Sequence, residues 1–376
     1  PHCQARMKQE KLKDEGELQS YFIQRMEKFI NGKGRKLIGW DEILEGGLAP
    51  NASVMSWRGT DGGIAAAQQG HDVVMTPGTH CYFDHYQGDA ALEPLAIGGF
   101  TPLQKVYDFE PVPSALDSTQ AKHILGTQGN LWTEYITTPE QVEYMALPRM
   151  IALAEVLWSP KESRNETGFI HRLETEFMNL EAMHVNFSRS LYNVGYKLGG
   201  SKKRGQVNVD LSAPGVGGEI RYTLNGMAPS DTSAQFASTL QQRGDVTIKA
   251  ALFRGNKRIG NVTTLGLHFD KATGRQVTLD PTPSERYNAY GAITLADGVS
   301  AGPRRVSNEW LGWTASKITI TVDLGSEQPI THAGIGALEE RYSWIHPPKQ
   351  VIISTSSDGT LFTDLTTING LPLASQ

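Results

Sequence analysis

The sequence predicts a multidomain protein in which a parallel α/β domain precedes two small all-β sandwich domains. Up to about residue 190, short apolar runs alternate with amphipathic helical patterns, which is typical of parallel βα units. After about residue 195, short apolar segments alternate instead with turns rich in Gly, Asp, Asn and Pro. A polar stretch from Asp280 to Ser284 predicts a linker within this second half. The predicted domains are therefore residues 1–190, 191–280 and 281–376.

Four apolar runs are the predicted strands of the first domain: RKLIGW, ASVMSW, DVVMTP and KHILGTQ. Apolar residues at helical spacing predict an amphipathic helix from Leu18 to Ile30, and a second helix from Gly63 to Gln69. A third helix is predicted from Pro139 to Trp158, where the apolar spacing continues through Pro148. In the second half, the predicted strands lie in GEIRYTLNG, DVTIKAALFRGN, KITITVDLGS and QVIISTSSDG.

Composition excludes several classes of function. Thirty-five basic and forty acidic residues give a formal charge of -5 without a basic run, which disfavours a nucleic-acid partner. Cys3 and Cys81 are the only cysteines, and no Cys/His cluster accompanies them, so we expect no metal, no cofactor and no disulfide framework. No apolar run approaches the ~20 residues of a membrane-spanning helix. Because Pro1-His2-Cys3-Gln4 resembles neither a signal peptide nor a natural start, we expect the chain to begin within a longer protein.

The segment GTQGNLWTEY, from Gly126 to Tyr135, places Trp132 and Glu134 two positions apart. If this segment is extended, both side chains project from the same face. An indole stacks on the apolar C–H face of a pyranose, and a carboxylate accepts hydrogen bonds from its hydroxyls. The pair therefore predicts contact with a sugar.

Similar residues follow the other predicted strands. In parallel βα architectures the ligand lies at the carboxyl ends of the strands, so residues at these ends are candidates for function. A lone tryptophan or tyrosine is more often a core residue, but several at strand ends favour a binding site. The predicted pocket residues, one or two per strand, are Trp40, Trp57, Tyr82, Asp84, Trp132 and Glu134.

Four motifs, GWDEILEGG, SVMSWRG, CYFDHYQGD and GTQGNLWTEY, occur in an order that resembles the later half of the catalytic barrel of family-20 glycoside hydrolases, the β-N-acetylhexosaminidases. The resemblance covers roughly residues 1–190. It implies a partial (β/α)8 barrel, and an activity that removes terminal N-acetylglucosamine or N-acetylgalactosamine from glycans with retention. It also implies roles for the six pocket residues: Trp40, Trp57 and Trp132 would wall the pocket, Tyr82 would hydrogen-bond the acetamido carbonyl, and Asp84 and Glu134 would bind sugar hydroxyls.

The resemblance implies substrate-assisted catalysis, in which the acetamido oxygen attacks the anomeric carbon, a Glu acts as acid and base, and a neighbouring Asp orients the acetamide. The family carries this Asp-Glu pair in a GGDE-type motif after its fourth strand, and the chain has no such motif. We interpret Asp41-Glu42, which belongs to the fifth-strand motif, as an ordinary acidic pair at a helix start. We therefore expect the catalytic pair and a sugar-binding Arg upstream of Pro1, and an inactive fragment.

The all-β half carries two further resemblances. Residues 218–268 resemble the small immunoglobulin-like domain often found at the C-terminus of these hexosaminidases. From about Tyr287 the chain resembles a discoidin-type (coagulation factor 5/8 C-domain-like) module, and we expect it to stop before the closing strands. Trp310, Trp313 and Trp344 are its candidates for glycan contact, although tryptophan in an antiparallel sandwich is more often a core residue.

Three functions remain open at this point. The leading interpretation is a fragment of a secreted or periplasmic exo-β-N-acetylhexosaminidase whose partner is a glycan with a terminal N-acetylhexosamine. The second is a non-catalytic glycan-binding or adhesion protein that retains the pocket. The third is a glycosidase of another class that uses Asp84 and Glu134, whose carboxyl groups would then lie about 5 to 5.5 Å apart. Serine hydrolase and P-loop patterns are absent.

Overall fold

The computed structural model describes residues 2–213, 217–302 and 309–370. The chain divides into two compact units, Pro1–Ser188 and Arg189–Gln376. The first unit combines helices with parallel strands, and the second consists of antiparallel strands and short 3-10 turns. Within the described ranges, no helix is both long enough and apolar enough to cross a membrane.

A four-stranded parallel sheet forms the centre of the first unit. Its order is β1-β2-β3-β4, so each strand lies beside its neighbour in sequence. In β2 and β3 the side chains alternate between buried and half-buried, as the period-two geometry of a strand requires. Each predicted apolar run contains one of these strands, which are β1 (Ile38–Trp40), β2 (Ser53–Ser56), β3 (Val73–Met75) and β4 (Ile124–Thr127).

Helices connect and cover the strands of this sheet. The longer helices begin at side-chain caps: Asp14 accepts a hydrogen bond from the Glu17 amide at 2.9 Å, and Asn165 accepts one from Gly168 at 2.7 Å. The helices are α1 (His2–Glu10), α2 (Glu15–Asn31), α3 (Asp61–Gln68), α4 (Gly78–Cys81), α5 (Leu103–Tyr107), α6 (Pro139–Ala146), α7 (Arg149–Trp158) and α8 (Glu166–Ala182).

The predicted single helix from Pro139 to Trp158 is wrong, because the structure divides it into α6 and α7. Pro148 has no N–H to donate, and its ring excludes the preceding residue from the helical region. Leu147 accordingly has extended backbone angles, with φ at -103° and ψ at 139°. The break places Arg149 at the first position of a new helix.

Both edges of the parallel sheet carry exposed apolar side chains. In the edge strand β1, Ile38 is exposed, and in the opposite edge strand β4, Leu125 is exposed. Helix α2 lies where the amphipathic pattern predicted a helix, but its Phe22 and Phe29 are 56% and 64% exposed. These apolar surfaces are not covered by the described residues of the unit.

The second unit contains twelve strands in its described residues. They form a sheet β5-β6-β9, a sheet β11-β10-β7-β8 with β12 paired to β10, and the pairs β13-β14 and β15-β16. The strands are β5 (Gly195–Gly200), β6 (Val207–Ser212), β7 (Glu219–Thr223), β8 (Ala234–Gln235), β9 (Leu240–Gln242), β10 (Val246–Arg254), β11 (Lys257–Arg258), β12 (Thr263–Leu267), β13 (Gln276–Asp280), β14 (Thr319–Asp323), β15 (Gln350–Thr355) and β16 (Thr363–Asn369).

The predicted boundary at residue 280 falls at the end of β13, which pairs with β14 from the far side of that boundary. Of the candidate glycan-contacting tryptophans, Trp310 and Trp313 are half-buried, and the Trp313 indole donates to the Pro281 carbonyl at 2.9 Å. Trp344 is 87% exposed and follows a short 3-10 turn. The three tryptophans therefore differ in environment.

Candidate functional site

Four of the predicted pocket residues form one connected aromatic cluster in the first unit. The rings of Trp40 and Trp132 have centroids 5.8 Å apart, and those of Trp57 and Tyr82 are 6.2 Å apart. The two pairs adjoin, because the Trp132 side chain is close enough to Tyr82 to act on the pKa of its phenol. The structure thus brings together the aromatic residues that follow four different strands.

Distance from the strand ends varies among these residues. Trp40 is the last residue of β1, and Trp57 directly follows β2. Tyr82 lies beyond the short helix α4, and Trp132 lies in the loop after β4. Trp40 and Trp57 therefore lie at the ends of their strands, whereas loop residues separate Tyr82 from β3 and Trp132 from β4.

Asn130 connects the loop of Tyr82 to the loop of Trp132. It forms a parallel bridge with Tyr82, in which the Phe83 amide donates to the Asn130 carbonyl and the Asn130 amide donates to the Cys81 carbonyl, both at 2.7 Å. Its side-chain amide donates to the Thr76 hydroxyl, a buried contact at 2.5 Å. Asn130 was missed at the sequence level, although its place in GTQGNLWTEY was a signal.

Asp84 is the buried carboxylate of the site. It is 4% exposed, and its Oδ1 has no hydrogen-bond partner among the described residues. Burial raises the pKa of Asp84 to about 6, while the Arg149 charge opposes this rise and the Glu134 charge adds to it. Because an unpartnered buried oxygen is costly, Asp84 is suited to accept a hydrogen bond from a ligand hydroxyl.

Arg149 holds the loop that carries Asp84. Its guanidinium is fully buried and lies 5.0 Å from the centroid of the Phe83 ring. Burial lowers the pKa of Arg149 to about 9, against the opposing charges of Glu93 and Asp84. The guanidinium donates to four backbone carbonyls, which belong to His85 (3.0 Å), Thr101 (3.0 Å), Phe83 (2.5 Å) and Met145 (2.6 Å).

A second carboxylate belongs to the same buried polar cluster. Glu93 Oε2 accepts a hydrogen bond from the Tyr144 hydroxyl at 3.0 Å, and burial raises the pKa of Glu93 to about 7. Gln87 donates its amide to the Tyr144 carbonyl at 2.8 Å. Asp84, Glu93 and Arg149 therefore form a charge cluster in which one cation lies near two acids. Of these three residues, only Asp84 was predicted from the sequence.

Tyr82 keeps its proton at neutral pH. Burial raises the pKa of its phenol, and the side-chain hydrogen bond with Trp132 acts in the opposite direction. A protonated phenol can donate its O–H to a carbonyl oxygen.

The acidic pair Asp41-Glu42 is engaged in contacts with the residues after β2. Asp41 is buried and accepts hydrogen bonds from the backbone amides of Trp57 at 3.0 Å and Arg58 at 3.1 Å. The Arg58 side chain donates to Asp41 at 2.6 Å and to Glu45 at 2.8 Å. Asp41 and Glu42 lie in the first turn of a short 3-10 helix, Asp41–Leu44, as the sequence predicted, and these partners hold Asp41 in addition.

Trp132 and Glu134 lie on the exposed side of the site. Trp132 is 43% exposed, Glu134 is exposed, and the segment that contains both belongs to no strand. The charge of Glu134 contributes to the raised pKa of Asp84, so the two carboxylates act on each other electrostatically. A site that combines an exposed indole with a buried carboxylate suits a ligand that is apolar on one face and hydroxylated on its edge.

Other candidate sites in the described residues are weaker. No group of three or more His, Cys, Asp or Glu side chains lies in an arrangement that could hold a metal ion across ranges 2–213, 217–302 and 309–370. A shallow groove of about 270 Å³ in the second unit is lined in part by Asp245 and His268. The Asp245 carboxylate already accepts from the Phe269 amide at 2.7 Å and contacts His268 at 3.2 Å. The aromatic cluster of the first unit therefore remains the principal candidate.

Comparison with known proteins finds two family models that match parts of this chain. Residues 1–161 match the model of the glycosyl hydrolase family 20 catalytic domain, and residues 198–264 match that of the chitobiase/beta-hexosaminidase C-terminal domain. The first match contains all six predicted pocket residues.

Similar proteins include two bacterial beta-hexosaminidases. That of Porphyromonas gingivalis is 45% identical over 246 residues, which are 64% of this chain and 31% of the relative. That of Vibrio furnissii is 34% identical over 157 residues, which are 41% of this chain and 26% of the relative. A solved GH20 exo beta-N-acetylglucosaminidase of Vibrio harveyi aligns with a TM-score of 0.45 and 32% identity, covering 50% of this chain and 30% of that one. The chain spans about a third or less of the length of these relatives.

Proposed function

We propose that the chain is part of an exo-acting, retaining β-N-acetylhexosaminidase, and that its first unit supplies half of a (β/α)8 barrel and one side of the sugar pocket. Support comes from the match of residues 1–161 to the family-20 catalytic domain and from the relatives named beta-hexosaminidases. The observation that carries the proposal is the joined cluster of Trp40, Trp57, Tyr82 and Trp132 beside the unpartnered buried oxygen of Asp84.

The roles of the residues follow from their chemistry. The indoles bind the apolar faces of the terminal N-acetylhexosamine. Asp84 and Glu134 accept hydrogen bonds from its hydroxyls. Tyr82, which keeps its proton, donates to the acetamido carbonyl and orients the acetamido oxygen for attack on the anomeric carbon, since an internal nucleophile is effective only when it is held in position.

None of the residues named above is proposed to be the acid that protonates the leaving oxygen, and neither are Asp41 and Glu42. Asp41 already has three donors around its carboxylate, and both oxygens of Glu42 face the Trp57 indole. We propose that a separate Asp-Glu pair, from the part of the protein that precedes Pro1, completes the site. We propose that the longer protein is secreted or periplasmic, because its proposed substrates are extracellular glycans.

Hydrolysis of a chromogenic β-N-acetylglucosaminide by the longer protein tests this proposal. We expect release of the chromophore and, by NMR of the first product formed, the β-anomer of N-acetylglucosamine. The α-anomer would contradict retention, and absence of hydrolysis would contradict the enzyme function. If the longer protein binds N-acetylglucosamine without hydrolysing any N-acetylhexosaminide, the non-catalytic glycan-binding function would replace the proposed one.

A further inference from the structure

The indole N–H of Trp57 meets the carboxylate of Glu42. Trp57 Nε1 lies 3.1 Å from Glu42 Oε1 and 3.0 Å from Glu42 Oε2, so one donor is shared between both oxygens of an acid. Hydrogen bonds to an ionised acceptor are roughly twice as strong as those between neutral groups. Glu42 is half-buried, so water screens this bond less than it would a bond between fully exposed groups.

The residue before Glu42 holds the backbone of the same tryptophan. The Asp41 carboxylate accepts the Trp57 amide at 3.0 Å, and it is itself held by the Arg58 side chain at 2.6 Å. Two consecutive acids therefore bind the two N–H groups of Trp57, one on the main chain and one on the ring. With both groups held, the rotation of the indole about its side-chain torsions is restricted.

The Trp57 ring also faces the rest of the candidate site. It lies 6.2 Å from the Tyr82 ring with an interplanar angle of 30°. Trp132 in turn is close enough to Tyr82 to act on the pKa of its phenol. The orientation of the Trp57 indole thus determines one boundary of the space beside Tyr82.

We propose that Glu42 is a positioning residue that fixes the orientation of the Trp57 indole and so shapes the sugar pocket. The second part of this proposal rests on the proposed function, whereas the first concerns the indole itself. Glu42 acts through Trp57 and does not exchange a proton with the substrate. Glu42 thereby has a more specific role than that of an acid at a helix start.

Selective 15N-tryptophan labelling of the full 376-residue chain provides the first test, since the seven tryptophans give few indole signals. The Trp57 signal is identified by its loss in Trp57→Phe. We expect Glu42→Ala to shift this signal, because the charged acceptor is removed, and Glu42→Gln to preserve it more closely, because the amide oxygen still accepts. Glu45→Ala is the matched control, since Glu45 contacts Arg58 and not the indole. An unchanged Trp57 signal in a folded Glu42→Ala chain would overturn the proposal.

Titration with N-acetylglucosamine provides the second test. Without Glu42, the indole is free to occupy three χ1 wells and two χ2 orientations, of which one shapes the pocket for the sugar. The fraction of protein that is competent to bind then falls, and affinity drops roughly three- to sixfold. We expect this loss in Glu42→Ala, with affinity largely restored in Glu42→Gln and unaffected in Glu45→Ala. A moved indole with unchanged affinity would refute the role in the pocket. The titration uses the longer protein, because this chain supplies only one side of the proposed pocket. If that protein binds no sugar, the proposed function and the pocket role both fail, while the indole signal still decides whether Glu42 fixes Trp57.

Discussion

Tyr82 and Asn130 pair in a parallel β-bridge that lies outside the four strands of the sheet. The bridge ties the loop after β3 to the loop after β4, and the two loops together carry Tyr82, Asp84, Trp132 and Glu134. Because the two loops are joined by backbone hydrogen bonds at 2.7 Å, the positions of these side chains depend on each other.

In the longer protein, we expect Tyr82→Phe to lower kcat more than it raises KM. The phenol is proposed to position the acetamide, and this contact matters most as the acetamide becomes the nucleophile. Steady-state kinetics with a chromogenic β-N-acetylglucosaminide measures the division between the two constants. A rise in KM with unchanged kcat would mean that Tyr82 contributes to ground-state binding only.

Glu134→Gln and Trp132→Ala are expected to weaken hydrolysis mainly through lost sugar binding. A hydrogen bond to a charged group typically contributes about 1.5 to 3 kcal/mol, so kcat/KM should fall roughly ten- to more than a hundredfold for Glu134→Gln. Kinetics on the longer protein, with Glu174→Gln on α8 as the control substitution, measures this loss. Unchanged kcat/KM in either site variant would remove that residue from the proposed pocket.

Arg149→Met should destabilise the first unit strongly. The change leaves the carbonyls of the Asp84 loop without their donor and leaves Asp84 and Glu93 without the buried cation, a loss we place at about 3 to 5 kcal/mol. Urea unfolding monitored by tryptophan fluorescence measures it. Arg172→Met is the control, because Arg172 is largely exposed and its pair with Glu155 should contribute less than about 1 kcal/mol. Equal effects of the two substitutions would argue against the role assigned to Arg149.

Stability should depend on pH through Asp84. Its folded-state pKa of about 6 exceeds the usual 3.8. The folded state therefore binds the proton more tightly, and the resulting stability is complete below about pH 4 and lost as pH rises through 6. The difference between the two pKa values corresponds to about 3 kcal/mol in the free energy of unfolding. Relative to Asp84→Asn, the wild type should lose free energy of unfolding between pH 4 and 6 and then level off.

Urea unfolding of both proteins across this range tests the prediction. Arg149, Glu134 and Glu93 are the charged groups that act on Asp84 or on its cation, and they are present in both proteins. The difference between the two curves thus isolates Asp84 to first order. Parallel curves across pH 4 to 6 would show that the buried carboxyl does not take up its proton in this range.

The chain by itself is expected to self-associate and to hydrolyse nothing measurable. The exposed Ile38 and Leu125 on the two edge strands favour pairing with other chains. Light scattering during size-exclusion chromatography measures the first property, and a monodisperse monomer with a sharp melt would contradict it. Assay of the purified chain with a chromogenic β-N-acetylglucosaminide measures the second property. Turnover that is lost when Asp41→Asn and Glu42→Gln are combined would show that this pair is catalytic.

The sequence predicted the sheet well because the information is local. Each apolar run contains its strand, and Trp40 and Trp57 lie at strand ends as the pattern indicated. The helix predicted through Pro148 was wrong because the apolar spacing continues across the proline, although the missing N–H and the proline ring interrupt the helix there.

The support of the site could not be predicted from the sequence. Arg149 bonds to carbonyls as far as 66 positions away, and any residue can supply a carbonyl. Its position in a helix start gives no local pattern that distinguishes it from a surface arginine. The hydrogen bond between Glu42 and the Trp57 indole likewise joins residues 15 positions apart, so only the structure shows it.

The bonding of Arg149 to main-chain carbonyls has a consequence for redesign of the pocket. Backbone oxygens are common to all amino acids, so the four hydrogen bonds of the guanidinium survive a change of side chain at His85 or Thr101. A library that varies the His85 side chain, whose ring centroid lies 5.6 Å from that of Tyr82, while retaining Arg149 would therefore alter the chemistry beside the candidate site without removing the anchor of the loop. The side-chain chemistry beside the aromatic cluster and the geometry of the loop are in this way encoded at separate positions, and the former can diverge while the latter is inherited unchanged.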